Sequence, residues 1–116
     1  MIREKSQCLI DYKEHMRGGD GTVEITKFIT SPEELLGKGR LFSRITLKPG
    51  CSIGYHVHDD ESELFHILNG TAEYNDGGEI RTVHAGDVTI CPPGTGHGIA
   101  NHTDETVELI ALILYQ

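Results

Sequence analysis

Turn-forming residues divide this chain into short apolar runs, and this punctuation limits the folds that it can adopt. Fourteen glycines and four prolines are spread through 116 residues. Short runs rich in β-branched and aromatic residues between such turn signals are typical of strands rather than helices. The sequence therefore predicts an all-β chain, with strands at residues 22–30, 41–48, 52–58, 63–70, 71–76, 79–84, 87–92, 97–102 and 106–115.

Two local segments sharpen this prediction. NDGG, residues 75–78, predicts a tight hairpin because its two glycines tolerate the positive φ that such turns require. SPEELLG, residues 31–37, predicts one or two helical turns that begin at Ser31 and Pro32 and end at Gly37. Eight or nine strands with so little helix favour a closed or double-sheet β architecture such as a jelly roll.

The length of the chain predicts one domain over residues 1–116. No linker, repeat or low-complexity segment interrupts it. Residues 1–21, which end in RGGDG, are polar and loop-like. We therefore expect an N-terminal arm at 1–21 that can reach a neighbouring subunit, followed by a barrel at 22–116.

Composition argues against several classes of partner. The formal net charge of −8 disfavours binding to nucleic acid or to an anionic membrane surface, since both depend on clustered Lys and Arg. No apolar run has the length of a membrane span, and residues 1–10 lack the apolar stretch of a signal peptide, so we expect a cytoplasmic protein. Three cysteines, Cys8, Cys51 and Cys91, have no paired spacing and are expected to be reduced, inert thiols.

The segment GYHVHDDESELFHILNG, residues 54–70, carries a His-x-His pair followed by a glutamate. His56 and His58 point to the same side of a strand, because side chains alternate with a period of two. A turn through DDES returns the chain, so that Glu63 can approach the same point. Two solvent-exposed histidines on an edge strand are one interpretation, and half of a metal site is the other.

Two spaced patterns favour the metal site. The first is G-x5-H-x-H-x4-E-x6-G over residues 50–70, and the second is G-x5-P-x-G-x2-H-x3-N over residues 86–101. The prolines and glycines of CPPGTGH give His97 a rigid approach to the first pattern. Together the patterns resemble the two signature motifs of the cupin superfamily at all ten defining positions: Gly50, His56, His58, Glu63, Gly70, Gly86, Pro92, Gly94, His97 and Asn101.

The resemblance implies a double-stranded β-helix, or jelly-roll barrel, with one divalent transition metal inside it. In cupins three histidines and one glutamate bind the metal, and the matching residues here are His56, His58, Glu63 and His97. Such ligands suit Mn, Fe, Co, Ni or Zn, and the sequence does not distinguish these metals. An octahedral ion would keep two adjacent positions for a chelating substrate or for O₂ and water, whereas the same four ligands could close zinc tetrahedrally.

Strand alternation predicts which side chains surround this site. Arg44 could contact a substrate carboxylate through its guanidinium group. However, Ser43 and Ile45 belong to the more apolar face of that strand, which directs Arg44 outward, where a surface ion pair is the alternative. His66, His84 and His102 are expected to face solvent. The pocket itself is predicted to be lined by Ile53, Phe65, Ile99, Leu109 and Ala111.

The last predicted strand, TVELIALILY, is apolar on both faces. Ile110, Leu112 and Leu114 would point away from the pocket, with Phe42 and Val57 on neighbouring strands. Exposed apolar surfaces of this kind tend to pair. We therefore expect a homodimer whose interface buries more than about 1,200 Å².

The resemblance implies two functions from different classes. The first is a metal-dependent enzyme acting on a small oxygen-rich anion, a carboxylate or a sugar acid, by dioxygenase, oxalate-decarboxylase-like or isomerase chemistry. The alternative is a non-catalytic, metal-containing module that binds a small molecule. A decarboxylase also needs a proton donor near the metal, and no inward acid beyond Glu63 stands out. The complete ligand set counts against metal-free epimerisation.

Overall fold

The computed structural model describes residues 1–116 and contains ten strands, three short 3₁₀ turns and no α-helix. The turns are Lys5–Gln7, Met16–Gly18 and Pro32–Leu35. The all-β prediction is therefore confirmed. The strands are β1 (Leu9–Glu14), β2 (Thr22–Lys27), β3 (Gly39–Leu47), β4 (Ser52–Val57), β5 (Glu61–Asn69), β6 (Thr71–Asp76), β7 (Glu79–His84), β8 (Val88–Cys91), β9 (Gly96–Ala100) and β10 (Val107–Tyr115).

The strands form two antiparallel sheets that enclose the core between them. One sheet has six strands in the order β1-β2-β3-β10-β5-β8, and the other has four in the order β4-β9-β6-β7. Neighbours within a sheet are mostly distant in sequence, as the jelly roll requires. Alternation along β10 shows how each strand serves the core, because Val107, Leu109, Ala111 and Ile113 are buried and the residues between them are more exposed.

The two local predictions are also confirmed in outline. Asp76 pairs with Glu79, so that Gly77 and Gly78 alone form the hairpin loop, with φ of 63° and 106°. Both values suit the turn type that matches strand twist. The predicted helical turn is the 3₁₀ turn Pro32–Leu35, and it ends at Leu36, which has a left-handed φ of 58°.

The N-terminal arm was expected to be loop-like, and this prediction is wrong for Leu9–Glu14. This segment forms β1, which pairs with β2 from Leu9 opposite Lys27 to Glu14 opposite Thr22. The strand is exposed on both faces along nearly its whole length. Since neither face meets the core, its sequence lacks the apolar alternation that identifies a strand.

The outward face of β10 is less polar than an ordinary surface. Ile110 and Leu112 are half-buried there, and Leu114 and Phe42 are each 37% exposed. Val57, on the other sheet, is 50% exposed. Pairing of two chains through this face stays a prediction. No helix in the structure has the length and apolar character needed to cross a membrane.

Candidate metal centre

Both sheets contribute to a buried group of four polar side chains, which we call the donor cluster: His56, His58, Glu63 and His97. His56 lies on β4, and His58 directly follows the end of that strand. Glu63 lies on β5 and His97 lies on β9. His56 and His97 are direct cross-strand partners. One potential ligand atom from each residue lies within 4.8 Å of the others. The structure thus brings together the four residues that the motifs predict.

A bulge in β4 sets the direction of the first histidine. Ile53 pairs with Ile99 and His56 with His97, so β4 has one more residue than β9 between these pairs. The extra residue reverses the alternation, and Ile53 and His56 therefore both face the interior. The Nδ1 of His56 lies 2.7 Å from the carbonyl oxygen of Gly54, inside the bulge. Simple alternation in the sequence does not reveal this bulge.

The ring nitrogens of the cluster converge on one carboxylate oxygen. Oε1 of Glu63 lies 2.9 Å from Nε2 of His97, 3.0 Å from Nε2 of His58 and 3.9 Å from Nε2 of His56. His58, Glu63 and His97 are at most 5% exposed. Three imidazole nitrogens and a carboxylate in this arrangement fit a divalent transition metal.

The opposite nitrogen of each histidine also has a partner. Nδ1 of His58 lies 2.9 Å from Oε1 of Glu61, and Nδ1 of His97 lies 2.8 Å from the hydroxyl of Tyr74. Glu61 in turn accepts two hydrogen bonds from Arg40, at 2.7 and 2.9 Å. Partners of this kind hold a metal-binding imidazole in orientation.

Charges in the cluster follow from these contacts. Burial by itself would raise the pKa of Glu63, but hydrogen bonds from His56, His58 and His97 lower it below its usual range. The pKa of His58 is raised by its hydrogen bonds to Glu63 and then Glu61. Arg40 and then His58 lower the pKa of Glu61 to about 2. Both carboxyl groups are therefore ionised near neutral pH.

A small cavity of about 60 Å³ adjoins the cluster. It has room for about two water molecules or a small anion. Besides His56, His58 and Glu63, its wall includes two cationic residues, Arg17 and Arg40, which we call the arginine rim. The remaining wall is largely apolar and includes Met16, Leu41, Ile45, Ile53 and Ile113.

Arg17 reaches the cavity from an unusual backbone position. It lies in the 3₁₀ turn Met16–Gly18 with a left-handed φ of 54°, which is rare for a residue other than glycine. Two glycines let this turn lie directly on β4. A side chain on Gly19 would collide with the carbonyl oxygen of Ser52, and one on Gly54 would collide with that of Arg17.

The structure separates the other predicted site residues into two groups. Ile53 lines the cavity, whereas Phe65, Ile99, Leu109 and Ala111 lie in the core and do not border it. Phe65 stacks on the ring of His97, with centroids 4.9 Å apart.

Arg44 is not brought to the donor cluster. It lies opposite Thr26 on β2 and Ile110 on β10. Its neighbours Ser43 and Ile45 are buried, so Arg44 is on the outward face of β3. The sequence reasoning missed the arginine rim, since no periodic pattern links Arg17 or Arg40 to the motifs. His66, His84 and His102 are exposed, as predicted, and the three cysteines are free thiols outside the cluster.

Comparison with known proteins agrees with this fold. The family described as "Cupin domain" matches residues 43–113. A protein of Thermotoga maritima named oxalate-binding protein is 36% identical over 114 residues, which cover 98% of this chain and 93% of the relative.

Two solved structures extend the comparison. One, from Thermotoga maritima and described as a predicted oxalate decarboxylase, is 35% identical and superposes with a TM-score of 0.93 over 100% of both chains. The other, a cupin 2 conserved barrel domain protein of Salinispora arenicola, is 28% identical with a TM-score of 0.67, covering 98% of this chain and 87% of that one. The similarity therefore includes the whole fold and not the motifs alone.

Proposed function

This chain belongs to the cupin domain family, and from that premise we propose that it binds a small chelating dicarboxylate at a divalent metal ion. His56, His58, Glu63 and His97 would hold the ion. Bound there, the metal would act as a Lewis acid that attracts carboxylate oxygens. Mn, Fe, Co, Ni and Zn all suit this donor set.

The arginine rim beside the donor cluster is the observation that carries the proposal. Arg40 is paired with Glu61, but Arg17 forms no salt bridge in the structure. We infer that its exposed guanidinium group can turn toward an anion in the cavity, because no carboxylate of the chain neutralises it. A guanidinium group binds carboxylate oxygens through paired N–H donors, and the small cavity favours an anion with few atoms. The relative named oxalate-binding protein supports oxalate as the first ligand to test.

Binding without turnover is the version that the geometry favours. Decarboxylation requires a proton donor beside the substrate. Glu61 is an acid outside the cluster that contacts two residues of the cavity wall: Arg40 donates to both of its oxygens and His58 faces one of them. A carboxylate engaged in this way is a poor proton donor. The related structure described as a predicted oxalate decarboxylase makes turnover the second candidate.

Titration calorimetry with oxalate tests both versions. Protein loaded with manganese, which keeps two further coordination positions, should bind one oxalate per chain, whereas chelator-treated protein should bind it far more weakly. Acetate, which offers a single carboxylate, is the matched control and should bind weakly to both. Equal oxalate binding with and without metal would overturn the proposal. Release of formate and CO₂ from the same samples would establish turnover.

A further inference from the structure

The largest cavity of the structure lies at the open seam between the two sheets. β7 ends the four-stranded sheet and β8 ends the six-stranded sheet, and the two strands are not paired with each other. The cavity between them has a volume of about 350 Å³ and is lined by residues 74, 76, 81–83 and 87–90. We call it the seam cleft. Small-molecule sites typically have volumes of about 300–1,000 Å³, so a small organic ligand fits this cleft.

The floor of the seam cleft is buried and partly polar. Tyr74, Val83 and Thr89 form it, and all three are buried. Thr89 points inward from β8, since its neighbours Val88 and Ile90 are exposed. Its hydroxyl is the one buried side-chain polar atom without a hydrogen-bond partner. Buried polar groups are nearly always paired, so this hydroxyl distinguishes the floor from an ordinary apolar core.

Two opposite charges border the floor without pairing. Arg81 lies directly across from Tyr74 in the β6–β7 hairpin, and Asp76 lies two residues beyond Tyr74 on β6. Strand alternation therefore places both charged residues on the inward face of the hairpin. They are diagonal neighbours, and such positions are about 7–8 Å apart. No salt bridge joins them, and both are exposed at the mouth of the cleft.

The third charged residue of the cleft is already engaged. Asp87 accepts a hydrogen bond from the backbone N–H of His84 at 2.7 Å. This leaves one cationic group and one anionic group free on the same wall, while Val88 and Ile90 provide apolar surface on the other. An inward-pointing charge on an edge strand also protects the edge from pairing with another chain. That role would need Arg81 alone and does not account for Asp76 beside it.

We propose that the seam cleft binds an α-amino acid with an apolar side chain. Arg81 donates paired N–H groups to the carboxylate of the ligand, and Asp76 accepts hydrogen bonds from its ammonium group. The apolar side chain of the ligand lies against Val83, Val88 and Ile90. No residue of the donor cluster lines the seam cleft, so this inference does not depend on the proposed metal site.

Titration of the protein with leucine, followed by calorimetry and by amide NMR, tests the proposal. Chelator-treated full-length protein is used, because amino acids also chelate transition metals. One leucine should bind per chain and should shift the amide signals of β7 and β8. Isocaproate is leucine without its ammonium group, and isoamylamine is leucine without its carboxylate. Each lacks one charged contact and should bind about tenfold more weakly than leucine.

Two variants assign the contacts separately. Arg81→Gln should weaken leucine and isocaproate about tenfold and leave isoamylamine unchanged. Asp76→Asn should weaken leucine and isoamylamine by a similar factor and leave isocaproate unchanged. Arg44→Gln and Asp104→Asn remove the same charges outside the cleft and are the matched controls. Both should change leucine affinity by less than about twofold.

Several results would overturn the proposal. The first is the absence of saturable leucine binding to chelator-treated protein that gives a folded NMR spectrum. The second is binding that appears only after zinc is added, which would place leucine at the donor cluster. The third is an Arg81→Gln variant that associates into larger species but binds leucine as before, which would leave Arg81 with edge protection alone. Failure of the oxalate experiment together with metal-independent leucine binding would reject the proposed function and support the seam cleft.

Discussion

The donor cluster and the arginine rim border the same cavity but are built in different ways. Three of the four cluster residues lie on strands, and each ring nitrogen turned away from the cluster has a hydrogen-bond partner. Arg17, in contrast, lies in a turn with left-handed backbone and makes no salt bridge. Strand register therefore fixes the proposed metal ligands, whereas the placement of one short turn fixes the proposed anion contact.

This difference allows metal binding and anion binding to be tested separately. A change in the cluster should abolish metal binding and, with it, the binding of any anion that chelates the metal. A change in the rim should weaken the anion and leave the metal in place. Measuring zinc and oxalate affinities on the same variants tests whether the division is real.

His58→Ala should have the largest effect, because it removes one of four donors from the centre of the cluster. Zinc sites of this size are worth about 10–16 kcal/mol, or roughly 3 kcal/mol for each ligand, which predicts a loss of more than about 100-fold in zinc affinity. Oxalate binding should disappear with the metal. His66→Ala, which removes an exposed histidine from β5, is the control. Full zinc occupancy in His58→Ala would contradict the ligand assignment.

The donor cluster was predictable from sequence because most of its residues lie on strands and are separated by short, regular intervals. His-x-His on one strand, Glu63 after a short turn and His97 after a rigid loop need only alternation and chain reversal. Two features were not predictable in the same way. The bulge that turns both Ile53 and His56 inward leaves no alternation signal, and β1 lacks one because neither of its faces is buried.

The arginine rim could not be predicted because it depends on contacts between distant segments. Arg17 reaches the cavity only because Gly19 and Gly54 allow its turn to lie on β4. Arg40 is held there by Glu61, which is 21 residues away in sequence. Strand alternation correctly predicted that Arg44 faces outward, but no local sequence pattern identified Arg17 and Arg40 as the arginines at the cavity.

Acid should affect the cluster and spare the rim. Metal binding needs unprotonated nitrogens, whereas arginine stays charged at every accessible pH. The pKa of His58 is raised by Glu63 and Glu61, so proton competition begins at higher pH than for a free histidine. Zinc affinity should fall more than about tenfold between about pH 7 and about pH 5. A flat profile in chelator competition would argue against histidine ligation.

Arg17→Ala should weaken oxalate binding alone, whereas His58→Ala should lose both zinc and oxalate. The variant loses a charged donor to the bound carboxylate, and because this side chain is exposed the loss should be about tenfold in oxalate affinity. Zinc affinity should not change. Calorimetry of oxalate on manganese-loaded protein, together with chelator competition for zinc, measures the two affinities separately. A parallel loss of zinc would show that the rim and the cluster are not independent.

Gly19→Ala tests the turn without removing any charge. Its new methyl group would collide with the Ser52 carbonyl oxygen, so the turn must move away from β4. We expect a loss of about 1–3 kcal/mol in stability from this overpacking, and an oxalate affinity reduced less than in Arg17→Ala. Thermal unfolding and calorimetry measure the two effects. Unchanged oxalate affinity would mean that Arg17 reaches the anion from more than one turn position.

Arg44→Ala should have the smallest effect and is the matched control for Arg17→Ala. Both variants remove one positive charge from the same chain, so any general electrostatic attraction of oxalate falls equally in both. Arg44 faces away from the cavity, between Thr26 and Ile110 in the six-stranded sheet. Its loss should therefore change oxalate affinity by less than about twofold. This small change is the effect that one distant charge keeps after salt screens it. If Arg44→Ala matched Arg17→Ala, net charge rather than the position of the turn would govern anion binding, and the arginine rim would lose its separate role.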